Sequence, residues 1–357
     1  MVQYKVDWLA FSIKFASEDI DPFSLDLFEE LGYDLGEFEE TPGRYFYNSG
    51  LTFFRFVNVY WNDPNKKRHV NSSDTLTVVF TGQGCTDLAE KICSDWVSLF
   101  QKLLDVEGLK FTRIDLALDD FEEKVSFSAL KKKLELGHYR SSKRSYNIVT
   151  TSDTLGRPLG ETIYIGNARA DNGSRGNVYA RFYDKKAQYL SKNQLLPTGV
   201  ETWKRYEISF SKKYAIAVID RFVAGENIDK VFKTSLRNLL EILTPKENEK
   251  NKARWYKTRW WEKFLEYDEK IDFGIAERDV MLGGLLNWIK VSVLPSLSLL
   301  EQIGLERGFN IYELLELAKK PVDFTKKQNR LYNNARQMTD KEIMAYLSEF
   351  LGGDSHG

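Results

Sequence analysis

The sequence contains little cysteine, little net charge and no long apolar run, and each absence removes a class of function. The two cysteines, Cys85 and Cys93, are too few for a metal-ligand set, and without an export signal they indicate reduced thiols in a cytoplasmic protein. The formal net charge of −1 argues against a wholly basic nucleic-acid-binding protein. No window approaches the roughly 18 consecutive apolar residues of a transmembrane helix, so we expect no membrane partner.

What charge there is lies unevenly along the chain. Residues 1–45 hold three basic and eleven acidic side chains, whereas 160–215 hold ten and five, and 244–263 hold seven and three. A nearly neutral chain can therefore present a local basic surface, although most charge runs mark only a solvated face. Aromatic residues make up 14% of the sequence, and aromatics both build cores and stack on unpaired bases.

The segment 177–190, NVYARFYDKKAQYL, combines phenols with cations. Side chains alternate along a strand, so four of these would share one face. They are Tyr179, Arg181, Tyr183 and Lys185. A hydroxyl nucleophile beside positive charge is suited to attack on a phosphodiester. The alternative is that the tyrosines are half-buried strand aromatics and the lysines a solvated edge.

Two further strand-like segments carry carboxylates. In LKFTRIDLALDDF (109–121), alternation places Arg113, Asp115 and Asp119 on one face. Carboxylates on one face need a partner, and Mg²⁺ typically takes one or two of them plus a phosphate. The alternative is an Arg113–Asp115 ion pair with Asp119 in the following turn. Glu207, in WKRYEISFSKK (203–213), is a second metal-ligand candidate, or else half of an edge-strand ion pair.

Three other segments carry local predictions, and two of them have two interpretations. Residues 43–62 predict a hairpin that turns at Asn48-Ser49-Gly50. Gly82-Gln83-Gly84-Cys85 predicts a glycine turn before a helix that starts at Asp87; it is either a tight connection or a loop that admits a nucleic-acid backbone. RWYKTRWWEKF (254–264) is either core packing with a basic outer face or a stacking platform for bases.

These patterns predict an α+β fold: a largely antiparallel sheet with flanking helices, followed by a mainly helical C-terminal part. We expect a first domain over 1–222 and a helical region over 223–357 that includes DKVFKTSLRNLLEIL, with DNA binding as one role for it.

Four motifs occur in the order KFTRIDLALDDF, ETIYIGN, VYARFYDKKAQ and WKRYEISF. This succession resembles the Rep_trans class, which comprises rolling-circle plasmid replication initiators and MOB-T conjugative relaxases. Relaxase and phage-type members of that class also have segments similar to VDWLAFSIKF, FTGQGC and RWWEKFL of this chain. The resemblance therefore spans residues 4–265. It implies an endonuclease that nicks and closes one strand of an origin through a 5′-phosphotyrosyl link.

The resemblance also implies roles for single residues. Tyr183 would be the nucleophile, with Arg181 and Lys185 as catalytic cations. The metal, Mg²⁺ or Mn²⁺, would be held by Asp115 and Glu207, with Asp119 as a third candidate. The wider superfamily holds its metal with a His-hydrophobic-His pair, and the three histidines here are not so paired, so a carboxylate site is required. The DNA-contact candidates are Lys186, Arg113, Arg254, Lys257 and Arg259.

The resemblance implies origin DNA as the partner, single-stranded where it is cut. A helicase partner and an oligomeric state are also compatible with the class. The same cut serves plasmid replication and conjugative transfer. Two alternatives stay open: a non-catalytic origin-binding replication protein, and a metal-dependent phosphodiesterase that uses water.

Overall fold

The computed structural model describes residues 2–14, 27–63, 65–66, 75–156, 158–166, 176–191, 196–197, 199–266, 282, 285–286, 289–318, 326–336 and 338–351. The strands are β1 (Val2–Lys14), β2 (Glu39–Pro42), β3 (Ser49–Phe53), β4 (Val57–Trp61), β5 (Thr75–Phe80), β6 (Leu109–Asp120), β7 (Tyr139–Ser141), β8 (Tyr146–Ser152), β9 (Pro158–Ile165), β10 (Val178–Asp184), β11 (Lys204–Ser211), β12 (Leu240–Thr244) and β13 (Tyr256–Lys257). The α-helices are α1 (Gly82–Lys91), α2 (Trp96–Leu104), α3 (Phe127–Glu135), α4 (Lys185–Ser191), α5 (Lys213–Val223), α6 (Ile228–Leu239), α7 (Arg259–Glu266), α8 (Leu294–Arg307), α9 (Ile311–Ala318), α10 (Lys326–Arg336) and α11 (Asp340–Phe350).

Ten strands form one antiparallel sheet in the order β2-β3-β4-β5-β1-β6-β11-β10-β9-β8, and β13-β12-β7 form a small second sheet. The first strand of the chain therefore lies near the middle of the large sheet. Helices flank the sheet, and the described residues after 288 are helical apart from short connections. The predicted α+β class, with its antiparallel sheet and helical C-terminal part, is confirmed.

The two faces of the large sheet differ in chemistry. On one face, Leu116 of β6, Ile208 of β11 and Phe182 of β10 are fully buried in the main apolar core. Helices α2, α5 and α6 supply apolar side chains to the same core, among them Phe100, Phe222 and Phe232. The alternate residues of the same strands are mostly polar and lie on the opposite face of the sheet. Because successive side chains point to opposite faces, one face builds the core and the other carries polar groups.

Helix α7 contributes to the core as well. Its Trp261 and Phe264 are buried, and the ring centroid of Phe264 lies 4.8 Å from that of Tyr206 on β11. Core packing is therefore the correct interpretation of these two aromatics in RWYKTRWWEKF. Tyr256, on β13, is 60% exposed.

Three local predictions are wrong, and the first concerns the hairpin turn. Asn48, Ser49 and Gly50 do not form the hairpin turn: β3 already begins at Ser49, and β3 pairs with β4 around a turn in which Phe54 and Arg55 have positive φ. Asn48 instead ties the hairpin ends together, since its side chain donates to the carbonyl of Asp63 and accepts from the N–H of Asp63. Asn-Gly is the usual sequence signal for a hairpin turn, so Phe54-Arg55 does not predict one.

Helix α1 starts at Gly82, not at Asp87, and the predicted turn Gly82–Cys85 is its first turn. Its glycines allow close packing within the protein. A Cβ at Gly84 would lie 2.3 Å from the carbonyl oxygen of Phe56, and one at Gly82 would lie 2.9 Å from the Asp7 carboxylate. The predicted helix DKVFKTSLRNLLEIL is also shorter than expected, because Leu240–Thr244 leaves it to form β12.

The chain packs as two compact units, Met1–Lys185 with Glu201–Asp272, and Lys186–Val200 with Phe273–Gly357. The sequence predicts a boundary between a domain over 1–222 and a helical region over 223–357. That boundary concerns the roles of the two parts and stays a prediction. None of the helices in the described ranges has the length and apolar character to cross a membrane.

Candidate active site

Four neighbouring strands, β1, β6, β11 and β10, carry the polar face on which the candidate site lies. Strand register brings the side chains together: Tyr183 pairs with Arg205, Arg181 with Glu207, and Arg205 in turn with Asp119. Ser209 pairs with Asp115 one step further along. Side chains of directly opposed residues touch, so residues far apart in sequence form one continuous polar row.

Tyr183 and Glu207 are in direct contact. The Tyr183 hydroxyl donates a hydrogen bond of 2.6 Å to Oε1 of Glu207. The other carboxylate oxygen, Oε2, accepts from the Nε of Arg181. The row therefore holds a phenol, a carboxylate and a guanidinium in sequence, and it joins the predicted nucleophile to one predicted metal ligand.

Burial sets the protonation of this pair. Tyr183 is 6% exposed, and burial together with the nearby charge of Glu207 raises the pKa of its phenol well above the ordinary value. Burial also raises the pKa of Glu207 to about 7, against the opposing effect of Arg181. The phenol is thus un-ionised near neutral pH, and its hydrogen-bond partner titrates there.

Asp119 occupies a different environment. Its two oxygens accept hydrogen bonds of 2.6 Å from Nε and Nη2 of Arg205, and Oδ1 also accepts one of 2.6 Å from the indole of Trp203. Arg205 is 1% exposed. Asp119 lies within β6, so its predicted place in the turn after the strand is wrong.

Asp115 forms a bidentate pair with Arg113, at 2.8 Å from Nε to Oδ1 and 2.5 Å from Nη2 to Oδ2. The Arg113–Asp115 ion pair is therefore present, and the metal-ligand role of Asp115 stays a prediction. The Arg113 guanidinium also lies 4.6 Å from the ring centroid of Trp8. Glu207 is ion-paired as well, but within a central strand instead of at an edge.

Asp7 is a buried site residue that sequence reasoning missed. The register of β1 shifts between Val6 and Trp8, which is a β-bulge, and such bulges re-aim side chains next to active sites. Asp7 accepts a hydrogen bond of 2.8 Å from Nη1 of Arg205, and it lies close enough to Glu207 for each carboxyl group to shift the pKa of the other. Strict alternation along VDWLAF gives no sign of this position.

The pKa values of Asp7 and Glu207 shift in opposite directions. Burial raises the pKa of Asp7, but Arg205 and Lys5 lower it further, so the net direction is down. The pKa of Glu207 moves up, because burial and the nearby charge of Asp7 both raise it. Of the two, Glu207 is therefore the carboxyl group that keeps its proton to the higher pH.

The predicted cations divide into two groups. The ammonium of Lys185 lies 5.9 Å from the ring centroid of Tyr183, and the Arg181 guanidinium lies 5.7 Å from it. Lys186 is the second residue of α4. Arg254, Lys257 and Arg259 lie at the small sheet and the start of α7, where Arg254 pairs with Glu249 and Lys257 with Glu241.

Within the described ranges, no group of three or more His, Cys, Asp or Glu side chains is placed to hold a metal ion. The predicted ligands Asp115, Asp119 and Glu207 each face an arginine instead. Asp7 and Glu207 are two carboxyl groups of the polar face that lie close enough to shift each other's pKa.

Comparison with known proteins agrees with this architecture. The chain is 24% identical over 325 residues, 88% of this chain and 86% of the relative, to a candidate DNA relaxase of Bacillus subtilis (strain 168), NicK. The structure of the present chain matches that of a rolling circle replication initiator protein from Geobacillus stearothermophilus with a TM-score of 0.61 and 25% identity. The match covers 74% of this chain and 96% of the initiator. The model of the Rep_trans family, described as replication initiation factor, matches residues 109–315, more than half of the sequence. The chain belongs to the Rep_trans family of replication initiation factors.

Proposed function

We propose that this protein is a site- and strand-specific DNA nicking-closing endonuclease that initiates rolling-circle replication or conjugative transfer. The observation that carries the proposal is the 2.6 Å hydrogen bond from the Tyr183 hydroxyl to Glu207, beside Arg181. It gives a weakly acidic nucleophile both a proton acceptor and adjacent positive charge. Relatives named as a candidate relaxase and as a rolling-circle initiator support the same chemistry.

The reaction is a transesterification. The Tyr183 oxygen attacks the scissile phosphorus, the bond from phosphorus to the 3′ oxygen breaks, and the 5′ end stays esterified to the phenol. The phenolic proton passes to the ionised form of Glu207, which a pKa of about 7 makes available at neutral pH. The released 3′ oxygen takes up a proton. Because the phosphotyrosyl ester conserves the bond, closure by the 3′ hydroxyl needs no ATP.

Positive charge close to the nucleophile would hold the scissile phosphate. Arg181 and Lys185 flank the Tyr183 ring, and both stand where charge builds up during attack. Lys186 and Arg113 are the proposed contacts of the flanking backbone. Arg254, Lys257 and Arg259, at the small sheet and α7, are proposed contacts for a different part of the origin DNA.

A divalent ion, Mg²⁺ or Mn²⁺, is the proposed cofactor. Asp7 and Glu207 are the proposed ligands, since these neighbouring carboxyl groups supply oxygen donors and the substrate phosphate would supply others. Asp115 and Asp119 are the other candidates, and at all four carboxylates the ion would have to displace an arginine. When bound, such an ion polarises the phosphate and stabilises its developing charge.

Replacement of the nucleophile tests the proposal. On supercoiled plasmid that carries the cognate origin, we expect Tyr183→Phe to abolish the covalent 5′ adduct while origin binding persists. Tyr179→Phe is the matched control, because Tyr179 lies on the same face of β10 and is equally buried, and it should retain the adduct. A denaturing gel of the nicked DNA measures both.

An adduct in Tyr183→Phe would contradict the proposal and would move attention to Tyr179 or Tyr189. Two other outcomes would favour the alternatives. Nicking that leaves a free 5′ phosphate and tolerates Tyr183→Phe would indicate water as the nucleophile. Origin binding without any adduct in Mg²⁺ or Mn²⁺ would indicate a non-catalytic replication protein.

A further inference from the structure

A second, smaller apolar cluster lies on the polar face of the large sheet, separate from the main core. Its buried members are Ala10, Tyr60 and Val79, and Trp8 and Tyr47 pack against it. Ala10 pairs with Arg113 in the neighbouring strand, so this aromatic cluster adjoins the arginine that holds Asp115. It extends the candidate site from β1 toward β4.

The loop between β2 and β3 covers the outer end of this cluster and is held in an unusual shape. Tyr45 and Phe46 both have positive φ, of 54° and 73°, which costs free energy for residues with bulky side chains. The loop is anchored by the Tyr47 hydroxyl, which hydrogen-bonds Thr75 and Thr77. At Gly43 a Cβ would lie 2.0 Å from the carbonyl oxygen of Tyr47.

This shape points an aromatic ring into solvent. Phe46 is 90% exposed, more than any other large apolar side chain in the described ranges. Tyr45 is 53% exposed, and its ring lies 5.6 Å from Tyr60, edge to face. A folded protein rarely strains its backbone to expose phenylalanine, and backbone strain of this kind gathers at ligand-binding sites.

A line of aromatics thus runs from the tip of the loop to the candidate site. Trp8, under Arg113, lies between Tyr60 and the polar row, and its indole N–H is buried with no hydrogen-bond acceptor among the described residues. Strand β1 is three strands from β10, about 14 Å at the usual strand spacing. That distance corresponds to roughly four stacked nucleotides.

We propose that Phe46 and Tyr45 stack on unpaired bases of the DNA strand that Tyr183 cuts, with Trp8 as the stacking contact nearer the cut. The proposal rests on the function given above, which supplies a single-stranded substrate. Aromatic side chains bind any base through its π face, so the contact does not require a particular sequence.

The local charge decides what kind of contact this is. Glu39 and Glu40 of β2 are exposed beside the loop, and Arg44 is the cation within it. Phosphates gain little there, so affinity has to come from base stacking. Stacking has a distinctive signature, because it depends on the bases and only weakly on salt, whereas phosphate contacts weaken steeply as salt rises.

The test compares two 20-nucleotide probes on the full-length protein, dT20 and an abasic strand with the same number of phosphates, by fluorescence anisotropy. We expect the wild type to prefer dT20 and Phe46→Ala to bind dT20 about fivefold or more weakly, the lower end of what one stacked base contributes. Binding of the abasic strand should not change, and the ratio should persist as salt rises. Phe46→Trp should retain the preference.

Tyr214→Ala is the matched control, since Tyr214 is a 42% exposed aromatic on α5, which packs on the other face of the sheet, and its affinities should equal those of the wild type. Thermal unfolding confirms that each variant is folded. The inference is wrong if Phe46→Ala binds dT20 as the wild type does, or loses both probes equally.

The origin assay separates this inference from the proposed function. A Tyr183 adduct with unchanged dT20 binding in Phe46→Ala overturns the stacking surface alone. A dT20 preference that needs Phe46, without any adduct, supports the stacking surface and overturns the nickase.

Discussion

The two ends of the polar row solve the same problem, a buried carboxylate, in opposite ways. Asp119 receives three hydrogen bonds from Arg205 and Trp203. Glu207 receives one from Arg181 and one from a phenol, and its pKa rises to about 7. The first arrangement keeps a carboxylate fixed in place, and the second keeps one able to exchange a proton. The proposed proton transfer relies on the second arrangement.

Loss of Arg205 should have the largest effect on stability. Arg205→Ala leaves Asp7 and Asp119 buried without their partner, and removal of one member of a buried ion pair costs about 3–5 kcal/mol. Urea denaturation would measure the loss. The matched control is Arg113→Ala, whose side chain is more exposed and serves one carboxylate instead of two. Equal, small losses in both variants would show that Asp119 is not held in the way described.

Glu207→Gln should show the reverse behaviour. The amide still accepts from Tyr183 but cannot take its proton, so single-turnover nicking should fall by at least about 100-fold, the lower end for loss of a general base. Stability should change little, since the amide no longer carries the cost of a buried charge. The measurements are the rate of adduct formation and the unfolding temperature. Retained nicking would mean that the proton leaves by another route.

The pH dependence should be the smallest effect and the sharpest test. The folded pKa of Glu207, about 7, lies above its unfolded value, so the folded state holds a proton that the unfolded state has lost between about pH 4.5 and 7. Stability from this group therefore falls as pH rises through that window, by at most about 1.4 kcal/mol per pH unit.

Nicking should follow the opposite trend over the same window, since it needs the ionised carboxylate, and should level off above pH 7. Both slopes should vanish in Glu207→Gln. Chemical denaturation and single-turnover rates at each pH measure them. A nicking rate that is flat from pH 5 to 8 in the wild type would contradict the role of Glu207.

Alternation along the strands predicted the polar row well. Arg113, Asp115 and Asp119 share a face because β6 is regular from Ile114 to Asp120 in its pairing with β11, and Tyr183 and Arg181 share theirs for the same reason. Which carboxylate would meet which arginine was not predictable, because that depends on the order and register of strands distant in sequence.

Other features were hidden for local reasons. Asp7 reaches the row through a bulge, and a bulge interrupts the period from which the faces were read. The turns at Tyr45-Phe46 and Phe54-Arg55 use residues that rarely adopt positive φ, so the sequence drew attention to Asn48-Ser49-Gly50 instead. In both places tertiary packing overrides local preference.

The position of β11 between β6 and β10 also has a consequence for synthesis on the ribosome. β6 ends at Asp120 and β10 at Asp184, but the two strands are joined only when Lys204–Ser211 has emerged and paired with both of them. Pairings of such sequence separation form late in folding. An incomplete chain that contains Tyr183 but ends before residue 207 therefore lacks Glu207, the hydrogen-bond partner of its phenol.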